Sequence, residues 1–544
     1  LMVFARRSTT LLAAIIASCA MVLSLTACTS DNKTVVDGQT TVTSNSAGGV
    51  AVFTPSDGIT LNQQMPLNKW AKLVPDLTKA LVDAGFKKGD INHTTSDSLD
   101  KQSRAIQDFV VDHLSNNTTD DSGIAIAPDN MTLLVAPVVE ADASTRQYGD
   151  YVSQNLSTND VTDEGATSDG ESSEDDSSKD DSSNTESDST ASDEQAQAVD
   201  RLVSSLKLAK ESGMHVVLLG NSIEGYKPDA FVKFSDAQTI GKLQAEKMVS
   251  KLKLDKASKD NPKYIEVLLP YTAMDEKGNA NDSTFAQEAF RGIWQVLGSY
   301  YQKGVVESPS GTLDGKSTEN DWQAVAYDAA KEGSTAKVLD KRLAKTDGQS
   351  TLTRIDGIIT MNDYIASEVV KELDDLGYTG SAADINPQIT ISGIVGNITG
   401  KKDLSRDAVP DPIKSPENDN ANDSSSSDDD ADKDTSASDK DRDSQWPLVT
   451  GYGAYVSNIP SIVNGKQWMT GMEDRQTIAT DIAQACAKLN KDEALNSMPS
   501  IRNSEVGGVK KIPTINEPLL AVSAGNLKSA LIDPGYISLA DAGL

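Results

Sequence analysis

Cysteine is scarce in this chain. Cys19, Cys28 and Cys486 are the three in 544 residues, and they are spread from one end to the other. No disulfide framework can be built from them once the first two are given the roles argued below, so stability must come from ordinary hydrophobic cores. At this length the chain can supply two. Cys486 lies in an apolar-periodic stretch with Ile482, Ala485 and Leu489, which predicts a buried helical thiol. Histidine is equally scarce. His93, His113 and His215 are far apart, and no Cys or carboxylate joins them at metal-ligand spacing. Basic residues are the minority among charges: 50 Lys and Arg against 81 Asp and Glu give a net charge of −31. That sign disfavours a nucleic-acid partner.

The acidic excess is concentrated. Residues 161–200 hold fourteen Asp and Glu against one Lys, and residues 415–445 hold eleven against three Lys and Arg. Both tracts are rich in Ser and Asp and nearly free of large apolar side chains. They cannot offset the entropy of ordering, so they are expected to be solvated, disordered insertions, set at 156–196 and 404–445. They lack the glycine and spacing of a defined calcium loop.

What is present at the start of the chain is a targeting signal. Arg6 and Arg7 precede the apolar stretch Leu11 to Leu25, which is short for a bilayer span and is followed by small residues. The run ends in Leu25-Thr26-Ala27-Cys28, which resembles the bacterial lipobox. That resemblance implies a signal peptide over 1–27, cleavage before Cys28, a diacylglyceryl group on its sulfur, and a stable two-chain anchor on the outer face of the cell membrane. An ordinary signal peptide cut nearby is the alternative. Residues 28–48 are small and polar, a flexible tether.

Beyond the tether, apolar runs alternate with amphipathic helical stretches. Strands are predicted at Val50–Thr54, Met131–Val139, His215–Leu219, Ala230–Phe234, Tyr264–Leu269, Gly357–Thr360, Ile389–Ser392, Leu448–Thr450 and Gln467–Thr470. Helices are predicted over Leu67–Ala84, Ser96–Leu114, Ala198–Glu211, Gln238–Leu252, Thr284–Leu297, Trp322–Leu343, Ile365–Leu376, Ile459–Val463 and Thr477–Leu489. Several strands run without polar alternation, as expected where both faces are covered. This βα rhythm predicts an α/β fold of parallel sheets with helices on both faces, whose ligands bind outside the carboxyl ends of the strands.

No catalytic constellation emerges. Gly311 to Ser317 is similar to a P-loop but is one residue short between its glycines and follows no buried strand. Gly220-Asn221-Ser222 follows a strand but lacks the second glycine of a nucleophile elbow. No cofactor and no enzymatic activity are therefore expected.

Several strand ends, taken in order, carry a resemblance. Asp356 to Asp363 followed by Ala366, Lys69-Trp70 ahead of Ala84-Gly85-Phe86, Phe234 to Gly241, Asp321-Trp322, Thr450-Gly451 through Asn464-Gly465-Lys466-Gln467 to Asp474, and Pro518 through Tyr536 are similar to the type I periplasmic binding proteins of ABC importers, most of all to the xylose and multiple-sugar subgroup. The resemblance spans most of residues 49–544. It implies two doubly wound lobes joined by a three-crossing hinge that close on a sugar. The first would be 49–225 plus 455–490, the second 226–452 plus 500–544. Lys69, Trp70, Asn221, Asn362, Asp363 and Tyr452 are the ligand-binding residues it implies, with an ABC permease as partner and a monomer as the expected state. Departures accompany the matches. Lys69 replaces an Arg and loses its bidentate fork. Gly220-Asn221 stands where the subgroup has Asp-Arg, and Thr284-Phe285 where it has a paired Asn. Tyr452-Gly453, or Ile394-Val395, stands where it has Gln-Asp. The expected function is capture of a small polar solute, a monosaccharide first. The alternative is a ligand-altered relative acting as a sensor or envelope interaction protein.

Overall fold

A computed structural model describes residues 34–36, 39–41, 46–57, 66–115, 126–139, 143–158, 186–274, 278, 280–345, 348, 350–383 and 446–544. Cys28, the signal peptide, most of both acidic tracts, the strand expected at Ile389–Ser392 and the pair Ile394-Val395 lie outside the described residues. The stretch 1–45 is a unit of its own, in which β1 (Thr34–Val36) and β2 (Gln39–Thr41) form an antiparallel hairpin. The two large sheets belong to the unit 46–544.

Its larger sheet contains β3 (Gly49–Pro55), β4 (Ile91–Ser96), β5 (Met131–Val135), β7 (His215–Leu219), β9 (Ala230–Lys233) and the hairpin β17 (Ile501–Val506) and β18 (Val509–Asn516), in the order β17-β18-β9-β7-β5-β3-β4. All neighbours are parallel except the hairpin pair. The pleat sorts β3 between two cores. Val50 and Val52 face Leu73, Leu77, Leu81, Ile478 and Ile482 on helices 70–83 and 475–489, whereas Ala51 and Phe53 face Ile106, Val110, Leu202 and Leu206 on helices 99–114 and 186–211. Edge strand β4 has one neighbour and is accordingly polar, with Asn92 to Thr95 exposed.

The second sheet is wholly parallel, in the order β12-β10-β14-β15, where β10 is Lys263–Val267, β12 Val306–Glu307, β14 Gly357–Ile359 and β15 Leu448–Val449. Helices 237–252 and 284–302 cover one face with Ile240, Met248, Phe290, Ile293 and Leu297. Helices 334–342 and 363–375 cover the other with Leu339, Ile365, Val369 and Leu373. Two glycines let the first pair approach closely: a Cβ on Gly241 or Gly292 would collide with the backbone of Ala289 or Gln238. Beyond β15, β16 (Met469–Met472) runs alongside, with Trp468 N–H donating to Val449 O at 2.8 Å, and pairs antiparallel with β19 (Leu520–Ser523). The chain passes between the two lobes at Phe234–Asp236, Glu473–Asp474 and Glu517–Leu519. The fold is therefore α/β with doubly wound parallel sheets.

Four expectations are corrected. Residues 455–472 lie beside the second sheet, so only the part from Arg475 joins the first lobe. The hairpin 501–516 extends the first sheet through β18 and β9, which leaves 520–544 with the second lobe. The helix expected at 198–211 starts at Glu186, inside the first acidic tract. Gln195, Ala196, Gln197 and Ala198 favour helix. The helix expected over 322–343 is two, 322–325 and 334–342, separated by β13 (Ala326–Tyr327), which pairs in parallel with β11 (Leu269–Pro270), and a turn in which Asp328 accepts the Ala330 N–H.

Candidate functional site

Residues 145–156, which follow β5, touch the residues after β7 and β9 through Asn221 and Ser235, and those after β14 and β15 through Asn362 and Tyr452. Tyr148 and Tyr151 are each 1% exposed. Tyr148 and Val152 join the apolar core of the second lobe, and Tyr151 joins that of the first. At its far end β6 (Asn155–Leu156) pairs in parallel with β8 (Ser222–Ile223).

Lys69 precedes helix 70–83, whose N-cap side chain makes no capping bond. The Asp150 carboxylate fills that role. It accepts the Trp70 N–H at 3.0 Å through one oxygen and the Lys69 ammonium at 3.0 Å through the other, so an internal anion sits at a helix N-terminus. Burial pushes the Asp150 carboxyl up against the pull of Lys69. Trp70 is buried edge-on to Tyr151 (5.0 Å) and Phe234 (5.6 Å), and Tyr151 donates its hydroxyl to Lys69 O at 2.5 Å. Asn221 is satisfied on both sides: its oxygen accepts the Gln154 N–H at 3.0 Å and its amide donates to Pro137 O at 2.9 Å.

On the second lobe, Asn362 caps helix 363–375 by accepting the Ile365 N–H at 2.9 Å, and its amide donates to Gln147 Oε1 at 3.0 Å. Met361 before it is held at φ +70°, a costly conformation for a side chain with a Cβ, and its carbonyl accepts from Gln244 at 2.9 Å. Asp363 is fully buried. Gln467 donates to one of its oxygens at 2.7 Å, and Thr470 Oγ1 and the Tyr455 N–H donate to the other at 2.9 Å. A Cβ at Gly451 would strike this carboxylate. Burial raises Asp363 to about 6. Tyr452 is fully buried, with its hydroxyl 2.5 Å from Ser235 Oγ and donating to Glu473 Oε1 at 3.3 Å. The same Glu473 oxygen accepts the Ser235 N–H at 2.5 Å, and burial raises this carboxyl to about 7. Ser235 and Glu473 lie on two of the crossings, so this group ties the hinge.

Lys69, Trp70, Asn362 and Tyr452 thus come together around residues 147–151, whereas Asp363 points into second-lobe packing and Asn221 holds strand ends together. The sequence reading missed Gln147, Tyr148, Asp150, Tyr151, Tyr455 and Glu473. A signal existed: Tyr148-Gly149-Asp150-Tyr151 places two aromatics three residues apart just before an acidic tract, in a chain with 5% aromatics.

Two cavities lie outside the cleft, one of about 390 Å³ beside Tyr301 and Gly311 and one of about 280 Å³ beside Leu489 and Ile501. The P-loop-like stretch next to the first is a surface turn. The Asp314 carboxylate accepts the N–H groups of Lys316 (2.8 Å) and Ser317 (3.1 Å), the donors a phosphate would need. Cys486 is fully buried, which raises its thiol, as its apolar-periodic setting implied. Among the described residues no group of His, Cys, Asp and Glu is arranged to hold a metal ion, and no helix is long and apolar enough to cross a membrane.

No protein-family model and no curated protein matches the chain. Solved structures do. An ABC transporter solute binding protein from Clostridium phytofermentans with bound β-D-glucose is 16% identical over 91% of this chain and 99% of its own, with a TM-score of 0.44. A carbohydrate transporter solute binding protein from Chloroflexus aurantiacus in complex with D-glucose is 17% identical over 92% and 98%, at 0.42. An arabinose binding protein from Geobacillus stearothermophilus is 10% identical over 89% and 99%, at 0.41. The fold assignment itself rests on the strand order described above.

Proposed function

We propose that the protein is an exported, lipid-anchored solute-binding protein, monomeric, that takes a small polar solute between its lobes and hands it to an ABC-type permease. Cys28 carries the anchor, and lobe closure does the work; no bond is made or broken. The observation behind this reading is the convergence of two parallel sheets. The residues at their strand ends, with the N-termini of helices 70–83 and 363–375, come together around the aromatic and polar side chains of residues 147–151. Aromatic faces and planar amides suit sugar rings and hydroxyls, so a monosaccharide of the xylose and multiple-sugar kind is the first candidate. Calorimetric titration with a monosaccharide panel tests it, and no heat from any sugar would remove it.

One observation favours a second reading, a ligand-altered relative that senses or binds an envelope partner: the cleft is filled by Tyr148, Tyr151 and Val152 of the chain itself. Genetic linkage to a permease and ATPase separates the two.

A further inference from the structure

We infer that residues 145–156 are a built-in occupant of the ligand space, a strap that holds the two lobes closed in the absence of any solute. Its root is in the first lobe. Asp150 N–H donates to Asn68 O at 2.7 Å, the Asp150 carboxylate holds Lys69 and the start of helix 70–83, and β6 pairs with β8. Its middle reaches the hinge, where Ser153 N–H donates to Ser235 O at 3.0 Å. Its tip grips the second lobe. Gln147 accepts from the Asn362 amide through its side chain (3.0 Å) and from the Tyr455 hydroxyl through its carbonyl (2.7 Å). The Tyr148 ring lies 4.7 Å from that of Phe285 and 6.3 Å from that of Tyr452.

The tip contacts are of the types a sugar would make: an aromatic face, and amide and hydroxyl donors on a polar oxygen. They are made by one continuous segment that touches both lobes, so separating the lobes breaks the tip contacts and leaves the root intact. A solute entering this space must displace the strap. Its apparent affinity is then reduced by the fraction of molecules in which the strap is out. The closed form is thus set by the chain and not by the ligand. Only this consequence for solutes rests on the function proposed above; the strap itself does not.

The test uses the full chain with no ligand added, read by small-angle scattering and by hydrogen exchange. The unmodified protein is expected to scatter as a closed pair of lobes, with the Asp150 and Ser153 amides strongly protected. Gln147→Ala with Tyr148→Ser removes the side-chain contacts to Asn362, Phe285 and Tyr452 and leaves the bond from Tyr455 to the Gln147 carbonyl. It is expected to raise the radius of gyration while Asp150 stays protected, which shows that the first lobe remains folded. Tyr455→Phe removes one hydroxyl and is expected to act in the same direction to a lesser degree, which covers the case of a double variant that does not fold. An open profile for the unmodified chain, rapid exchange at Asp150 and Ser153, or an unchanged profile in both variants would overturn the strap. A monosaccharide panel is then titrated into the opened variant. Binding about tenfold tighter than to the unmodified chain supports displacement. Opening without binding of any sugar supports the strap and removes the solute reading.

Discussion

Asp150 and Lys69 form a partly buried ion pair, 3.0 Å long, in the space where the sequence placed a ligand against Lys69. The second Asp150 oxygen is spent on the Trp70 N–H. One carboxylate therefore neutralises the cation and caps the helix, and its loss would expose both. Asp150→Ala is expected to cost about 1–3 kcal/mol, the range for leaving buried hydrogen-bonding groups unpaired. Asp150→Asn, which can still accept the Trp70 N–H, is expected to cost less. Urea denaturation of the two variants measures the difference, and equal losses would show that the N–H contact contributes little.

Two buried carboxyls make stability fall as pH rises. Glu473 titrates at about 7 in the folded protein against an ordinary 4.5, and Asp363 at about 6 against 3.8. The folded state holds these protons longer than the unfolded chain, so the stabilisation is full below the unfolded values and is lost as pH rises through the folded ones. For Glu473 alone the loss between pH 4.5 and 7 is about 3 kcal/mol, at about 1.4 kcal/mol per pH unit. Glu473→Gln retains an acceptor for the Ser235 N–H and is expected to flatten that slope. A thermal melt series from pH 4.5 to 8 checks it; an unchanged slope would move the effect elsewhere.

The lobes were legible because their strands are apolar without alternation and their helices carry clear stripes. Met131–Val135 and Leu73, Leu77 and Leu81 mark a covered sheet and a helix face without help from the rest of the chain. The hairpin 501–516 was assigned to the wrong lobe because strand pairing across hundreds of residues leaves no local mark: Thr514 pairs with Phe231. The use of the candidate site residues was not legible. Strand ends point to the cleft, but nothing in Asn362 or Asp363 says whether its partner is a solute, Gln147 or Gln467.

The first acidic tract is predicted to be dispensable only up to the start of the helix. By composition, replacing 161–185 with a short Gly/Ser linker changes closure entropy by about 0.6 kcal/mol per halving of loop length, a small effect. Extending the replacement through 199 removes Ala198 and Val199, which are buried beneath helix 99–114. That is expected to lower the melting temperature clearly. Equal melting temperatures for the two replacements would show that the helix before Asp200 contributes nothing.

The anchor is tested separately from the fold. Cys28→Ser removes the only sulfur in the lipobox-like sequence that could accept a diacylglyceryl group. Metabolic labelling with a radioactive fatty acid is expected to mark the unaltered protein and not the variant. Label retained by the variant would mean that another site is acylated.

Trp70 and Asn362 separate packing from recognition. Trp70 is 3% exposed, with Tyr151 and Phe234 edge-on to it and the backbone of Gly220 close behind. Truncating such a residue leaves a cavity, so Trp70→Ala is expected to cost about 3–5 kcal/mol of stability, and any loss of solute affinity in it would be uninterpretable. Asn362 is a finer probe because its two ends do different jobs: its oxygen caps helix 363–375 and its amide holds Gln147. Asn362→Ala loses both, and the cap alone is worth about 1 kcal/mol. Asn362→Ser keeps a capping oxygen but cannot reach Gln147 with an amide. If the amide serves the strap, Asn362→Ser should melt close to the unaltered protein yet expose the Gln147 segment to faster hydrogen exchange. If its main task is to cap, the serine variant should match the unaltered protein in both measurements, and only the alanine variant should differ.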